Sequence, residues 1–309
     1  MMNSFFANRF RSNISSILLI GILITILPVS LAFSQSGKKG KQPQKEICIT
    51  FDELPASQGF NEVDLEAITY LILEALRKHD VKSAGFVVGA NVESAYDALG
   101  KWLNDGHVLG TMTYSNQDLN GIGIEQFIND IKMGNEQLEP MLSGFGQKKR
   151  YFRYPFLHYG STVKAHQEVR DYLEHIDMTV AHATVVPEDY IYNFSLEKLG
   201  KTPDSARFEA LLNEYINSVL DELERVELVA QQVVGRNVRQ ILLLRANRLN
   251  AVFIDEMLTA LEDMGYKFVS LDDALKDEVY SMSEAYYGST GIGYLDMIQQ
   301  SNPDLLPAE

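Results

Sequence analysis

The sequence predicts an α/β fold in which a parallel sheet is covered by helices. Two observations predict it. From Glu46 onward, short apolar runs alternate with amphipathic helical segments. The chain also has 309 residues with 46% hydrophobic and 22% charged side chains, the balance of a globular protein with one large or two modest domains. Periodicity leaves open whether the sheet closes into a barrel or stays an open, doubly wound sheet.

The elements follow in order. Ile47 to Phe51 is a short apolar strand, ended by a turn signal at Pro55. Val63, Ile68, Leu71, Ile72 and Leu76 are placed on one face of a helix. Ala84 to Val88 reads as a second buried strand. Glu125 to Leu138 and Val163 to Leu173 read as helices. Further strands are expected at Met178 to Val186, Ile241 to Leu244 and Phe268 to Ser270. A long amphipathic segment, Ala206 to Val234, separates the first two of these, and Val252 to Met264 is a helix stopped by Gly265.

Residues 1–34 have the pattern of a signal peptide. Arg9 and Arg11 precede an apolar run from Ile17 to Leu27, Pro28 breaks it, and Ala32 and Ser34 supply small residues for cleavage. The run is shorter than the roughly 20 apolar residues of a membrane-spanning helix, so no stable span is expected after cleavage; an uncleaved anchor is the alternative. Residues 35–45 are a polar linker, 46–276 the folded domain and 277–309 a C-terminal extension. The chain is therefore expected to be exported, to the periplasm or the cell exterior. Its single cysteine, Cys48, lies in the first strand and reads as a buried thiol.

Charge narrows the partners. A formal net charge of −15 argues against nucleic acid and against anionic membrane surfaces, and it leaves amino sugars electrostatically acceptable.

Five segments carry a family resemblance. Thr50-Phe51-Asp52-Glu53-Leu54-Pro55 resembles a T-F-D-D motif, and the likeness continues through Ala84 to Gly89. Gly110-Thr111-Met112-Thr113-Tyr114-Ser115-Asn116-Gln117-Asp118-Leu119 resembles G-N-H-T-Y-S-H-x-D-L. Phe152-Arg153-Tyr154-Pro155-Phe156 supplies a third motif, and Val186-Pro187-Glu188-Asp189-Tyr190 a fourth, against D-x-x-D-W. Leu242-Leu243-Leu244-Arg245 supplies the fifth, against L-L-L-H. In this order they resemble the NodB-homology polysaccharide deacetylases, carbohydrate esterase family four. The resemblance implies a distorted parallel (β/α) barrel with its groove at the carboxyl ends of the strands.

The same resemblance implies a site with altered chemistry. The family holds zinc or another divalent metal with one Asp and two His, uses a second Asp as base beside an Arg, and donates a proton from a His tuned by an Asp. Asp52 stands at the base position, Arg153 at its partner and Asp189 at the tuning position. The metal positions are Glu53, Met112 and Asn116, of which a thioether and a neutral amide are poor zinc ligands. The acid position is Arg245, whose guanidinium does not deprotonate. No bound metal cofactor is expected on this reading. Of the six histidines none fills a motif position; His107, His158 and His182 read as structural or surface residues.

These residues imply a non-catalytic homologue that binds cell-wall or capsular polysaccharide, or a protein partner, with Tyr114, Tyr154, Phe156 and Tyr190 as apolar platforms. The alternative is a divergent active deacetylase hydrolysing N- or O-acetyl groups. A metal-free carboxylate pair of Asp52 and Glu53 is disfavoured, because neighbours on a strand point to opposite faces. An ion pair between Asp189 and Arg245 is expected where the family keeps a catalytic dyad.

Overall fold

The computed structural model describes residues 44–57, 62–200 and 204–302. The expected signal peptide, and most of the linker, lie outside these residues. Lys45, placed at the linker's end by the sequence, already opens the first strand.

In chain order the elements are β1 (Lys45–Leu54), α1 (Glu62–Lys78), β2 (Ala84–Val87), α2 (Tyr96–Asn104), β3 (Val108–Thr111), α3 (Leu119–Ile122) and α4 (Ile124–Gly144). They continue with β4 (Tyr151–Phe152), α5 (Val163–His175), β5 (Thr179–Val180), α6 (Asp189–Leu199) and α7 (Ser205–Val234). The last are β6 (Gln240–Arg245), α8 (Arg248–Asp263), β7 (Tyr266–Phe268), α9 (Leu271–Ala274) and α10 (Tyr294–Ser301).

All pairings among these strands are parallel, in the order β5-β4-β3-β2-β1-β6, with β7 pairing with the first residues of β1. The strands curl into a half-barrel. An isolated parallel bridge between Val185 and Leu242 carries the chain after β5 round to β6, at the far end of the order. That bridge settles the choice between barrel and open sheet in favour of the barrel.

Burial explains the central strand. Ile47, Cys48, Ile49 and Phe51 are fully buried, as in a parallel strand covered on both faces. Burial pushes the Cys48 thiol up to about 12, against the lowering influence of Arg153, so the thiol stays protonated and inert. On α1 the buried face runs Ile68, Ile72, Leu73 and Leu76. Leu71, assigned to that face from sequence, is 39% exposed because i+3 from Ile68 falls on its margin.

One expected strand is interrupted. Between Met178 and Val186 only Thr179 and Val180 form β5. The Ala181 N–H bonds Phe152 of β4, whereas the N–H groups of Thr184 and Val185 bond Ile241 of β6. The segment changes partner midway, and no continuous ladder forms.

The long helix α7 has an N-cap, Asp204 accepting the Ala206 N–H, and ends at Gly235 in the left-handed conformation (φ 67°). It buries Leu211, Tyr215, Val219, Leu223, Val226 and Ala230 and packs on α6, α8 and α10. In the region assigned to a C-terminal extension, α10 packs on α7, and the Tyr294 N–H donates to the Ala183 carbonyl at 2.7 Å.

Candidate functional site

At the carboxyl ends of β1, β3 and β6 lies a cavity of about 320 Å³. Asp52, Glu53, Met112, Phe156, Tyr190 and Arg245 line it from the motif segments. Glu222, Arg225, Asp296 and the 290–293 segment form its outer wall, so α7 borders the groove.

Asp52 and Glu53 both reach this cavity, although they are neighbours on one strand. The pairing register of β1 shifts between Phe51 and Leu54, and Glu53 takes a left-handed conformation (φ 64°). The bulge turns the second carboxylate to the side of the first. The opposite-face argument drawn from alternation therefore does not hold at this pair.

Asp52 is 5% exposed, and its Oδ1 lies 3.5 Å from Arg153 Nη1. That separation is a charge contact and not a hydrogen bond, and Oδ1 is left without a hydrogen-bond donor. Arg153 is fully buried, donates from Nη2 to Thr50 Oγ1 at 3.1 Å and sits over the Phe86 ring. Burial raises the Asp52 carboxyl above its ordinary value, opposed by Arg153 and Arg245. Burial raises Glu53 likewise, and Arg245 works against it.

Met112 is 1% exposed, and its Sδ accepts the Glu53 backbone N–H at 3.1 Å. The Asn116 side chain lies beside Glu53, where it works against the burial that raises that carboxyl, and the residue is held at φ 54°, with its own N–H on Thr113 Oγ1. Asp130 of α4 anchors this turn, accepting both the N–H and the hydroxyl of Ser115. The three positions thus meet, but as one carboxylate, one amide and one buried thioether already engaged by an N–H. This donor set does not fit zinc. Among the described residues, no three His, Cys, Asp or Glu side chains are grouped as metal ligands.

At the end of β6, Arg245 Nη1 lies 2.5 Å from Asp189 Oδ1. The Arg245 N–H and Asn250 Nδ2 each donate to Oδ2 at 2.7 Å. Tyr215 of α7 in turn donates to Asn250 Oδ1. Burial acts to lower the Arg245 pKa but is outweighed by Asp189, and the net shift is upward, so the guanidinium is held charged. It also lies over the Tyr190 ring, 5.3 Å from the centroid.

The four aromatic candidates separate. Phe156 is 49% exposed and Tyr190 53%, and both line the cavity. Phe156 projects because it and Leu157 both take left-handed conformations. Tyr154 is buried at 2% exposure, packed on Phe127, Phe152 and Tyr159. Tyr114 is half-buried and does not line the cavity.

The histidines lie apart from the cavity lining. His107 is 4% exposed and accepts the Ser83 N–H. His158 pairs with Asp118 at 2.8 Å, and His182 stacks on Tyr294 and bonds Tyr159. Sequence reasoning missed Tyr215, Asn250, Glu222, Arg225 and Asp296. For Asn250 a signal existed: Asn247 caps α8 by accepting the Asn250 N–H, which fixes Asn250 in the first turn after Arg245.

A family model described as polysaccharide deacetylase matches residues 39–173. The chain is similar to the peptidoglycan-N-acetylglucosamine deacetylase of Bacillus cereus, at 32% identity over 125 residues. That match covers 40% of this chain and 40% of the relative's length. Among solved structures, the fold is similar to a polysaccharide deacetylase from Bacillus cereus, with TM-score 0.53, 21% identity and coverage of 74% of this chain and 92% of the other. It is also similar to a CE4 family pseudoenzyme from Bacillus anthracis, with TM-score 0.51, 17% identity and coverage of 76% and 66%. A mutant of that CE4 family pseudoenzyme with restored enzymatic activity has the same TM-score, 0.51, against this chain.

Proposed function

We propose that the chain is an exported, non-catalytic member of the polysaccharide deacetylase family, whose model matches residues 39–173, and that its groove binds cell-wall or capsular polysaccharide. One observation carries this reading: the position that would donate a proton to the leaving group is Arg245, held charged against buried Asp189. A guanidinium in that state keeps its proton throughout the physiological range.

The donor set supports the same reading. Amide hydrolysis on a sugar needs an electrophile on the acetyl oxygen and an activated water. Met112 spends its sulfur on the Glu53 N–H, and Asn116 offers a neutral amide. Glycan binding needs neither group. It needs apolar faces for sugar rings, which exposed Phe156 and Tyr190 offer at the cavity mouth, and polar partners for hydroxyl groups. The name of the Bacillus cereus relative makes peptidoglycan the first polymer to try.

One observation favours a second reading. Asp52 and Glu53 share the cavity with burial-raised carboxyls, an arrangement suited to acid–base hydrolysis without zinc. Two assays on the purified chain separate the readings: bound metal after zinc exposure, and acetate release from acetylated chitooligosaccharides. Retention on insoluble peptidoglycan with neither metal nor acetate is the expected result. Stoichiometric metal with turnover would overturn the non-catalytic reading, and turnover without metal would establish the second.

A further inference from the structure

We propose that the groove prefers glycans bearing free, protonated amino groups, the de-N-acetylated form of the polymer, over the fully acetylated form. This rests on the reading that the groove binds polysaccharide.

Charge gives the first argument. Five carboxylates line the cavity, from Asp52, Glu53, Glu188, Glu222 and Asp296, against the two guanidiniums of Arg225 and Arg245. Both guanidiniums are already engaged. Arg225 bonds Glu222 and Asp296, each at 2.7 Å, and Arg245 bonds Asp189 behind the cavity wall. Among the described residues, no Lys, Arg or His forms an ion pair within 4.0 Å with Glu53 or Glu188. The cavity therefore presents unneutralised negative charge.

Donor supply points the same way. Asp52 lines the cavity, but its Oδ1 is enclosed on the side of buried Arg153, 3.5 Å from Nη1, so the carboxylates open to a ligand are chiefly those of Glu53 and Glu188. An ammonium group brings three donors and a positive charge to them. An acetamide brings one N–H and a carbonyl oxygen, which faces like-signed oxygens here.

Titration calorimetry with glucosamine and N-acetylglucosamine oligomers of equal length tests this, at low and high salt. The amino form is expected to bind about tenfold more tightly or better, roughly 1.4 kcal/mol. Salt is expected to shrink that advantage by screening the partly open groove. The isosteric double variant Glu53→Gln, Glu188→Gln is expected to bring the preference to about twofold or less. Equal or tighter binding of the acetylated oligomer overturns the preference and leaves glycan binding standing. A preference undiminished in the double variant also overturns it, since the charges would not be its source. Binding of neither oligomer overturns both readings.

Discussion

Arg245 and Asp189 meet through two contacts, a guanidinium nitrogen 2.5 Å from Oδ1 and the Arg245 backbone N–H 2.7 Å from Oδ2. Asp189 has no exposed surface, so its oxygens find their hydrogen bonds in these donors and in Asn250. Arg245→Met removes the only positive charge in direct contact among the described residues and leaves the carboxylate with neutral N–H donors. A loss of about 3 kcal/mol is expected, measured by urea unfolding. Pairing it with Asp189→Asn, which removes the stranded charge, is expected to recover part of that loss. A single-variant loss under about 1 kcal/mol would show that the pair does not lock the site.

His107 gives a pH dependence with a definite sign. Burial, aided by Lys82, pushes its imidazole down to about 4, and its Nδ1 accepts the Ser83 N–H, as a neutral ring does. In the unfolded chain the ring titrates near the ordinary value of about 6.5. Between about 6.5 and 4 the unfolded chain binds a proton that the folded chain does not, so stability falls as pH falls through that window. The slope from this residue is up to about 1.4 kcal/mol per pH unit. In His107→Asn, whose amide oxygen can accept the same N–H, that increment is expected to vanish. Urea midpoints of both proteins near pH 5 and pH 7 measure the difference.

Much of the fold was legible because β1 and the longer helices carry long, regular signals. Ile47 to Phe51 is buried on both faces, and α7 repeats its apolar positions over seven turns and more. β4, at two residues, is too short for periodicity to register, and in β3 the apolar run stops after Leu109, at Gly110 and Thr111. At the site, motif order placed Asp52, Met112 and Arg245 together. The bulge at Glu53 escaped because an Asp-Glu pair has the same letters in a regular strand as in a bulged one. The outer wall escaped for another reason. Arg225 and Asp296 meet across 71 residues, and only the fold brings them into contact.

Gly134 tests how the Met112–Asn116 turn is supported. A Cβ on this residue of α4 would lie 2.5 Å from the Thr113 carbonyl carbon and 2.8 Å from Thr111 Oγ1. Thr113 itself is left-handed (φ 68°), and its carbonyl accepts the Gly89 N–H, so the turn has little room to retreat. Gly134→Ala is expected to cost about 2 kcal/mol by overpacking, against the small gain alanine usually brings inside a helix. Thermal and urea unfolding measure the sign; a stabilised variant would mean that the turn yields freely.

Rebuilding the family's ligands separates metal binding from catalysis. The triple variant Glu53→Asp, Met112→His, Asn116→His restores one carboxylate and two imidazoles. The backbone favours it, since positions 53 and 116 are left-handed (φ 64° and 54°), where Asp and His are better tolerated than most residues. At 112 the imidazole replaces a buried thioether and meets the N–H of residue 53, which now donates to sulfur. Zinc is expected to bind at about one equivalent in the triple variant and not in the parent, measured by dialysis and metal analysis. Acetate release is expected to stay absent, because Arg245 still holds its proton against Asp189. Adding Arg245→His supplies a group that titrates near neutrality beside that carboxylate, and only this fourth change is expected to bring measurable turnover. Turnover in the triple variant would remove Arg245 as the block, and failure to bind zinc would mean that the bulge at residue 53 no longer presents its carboxylate to the other two positions.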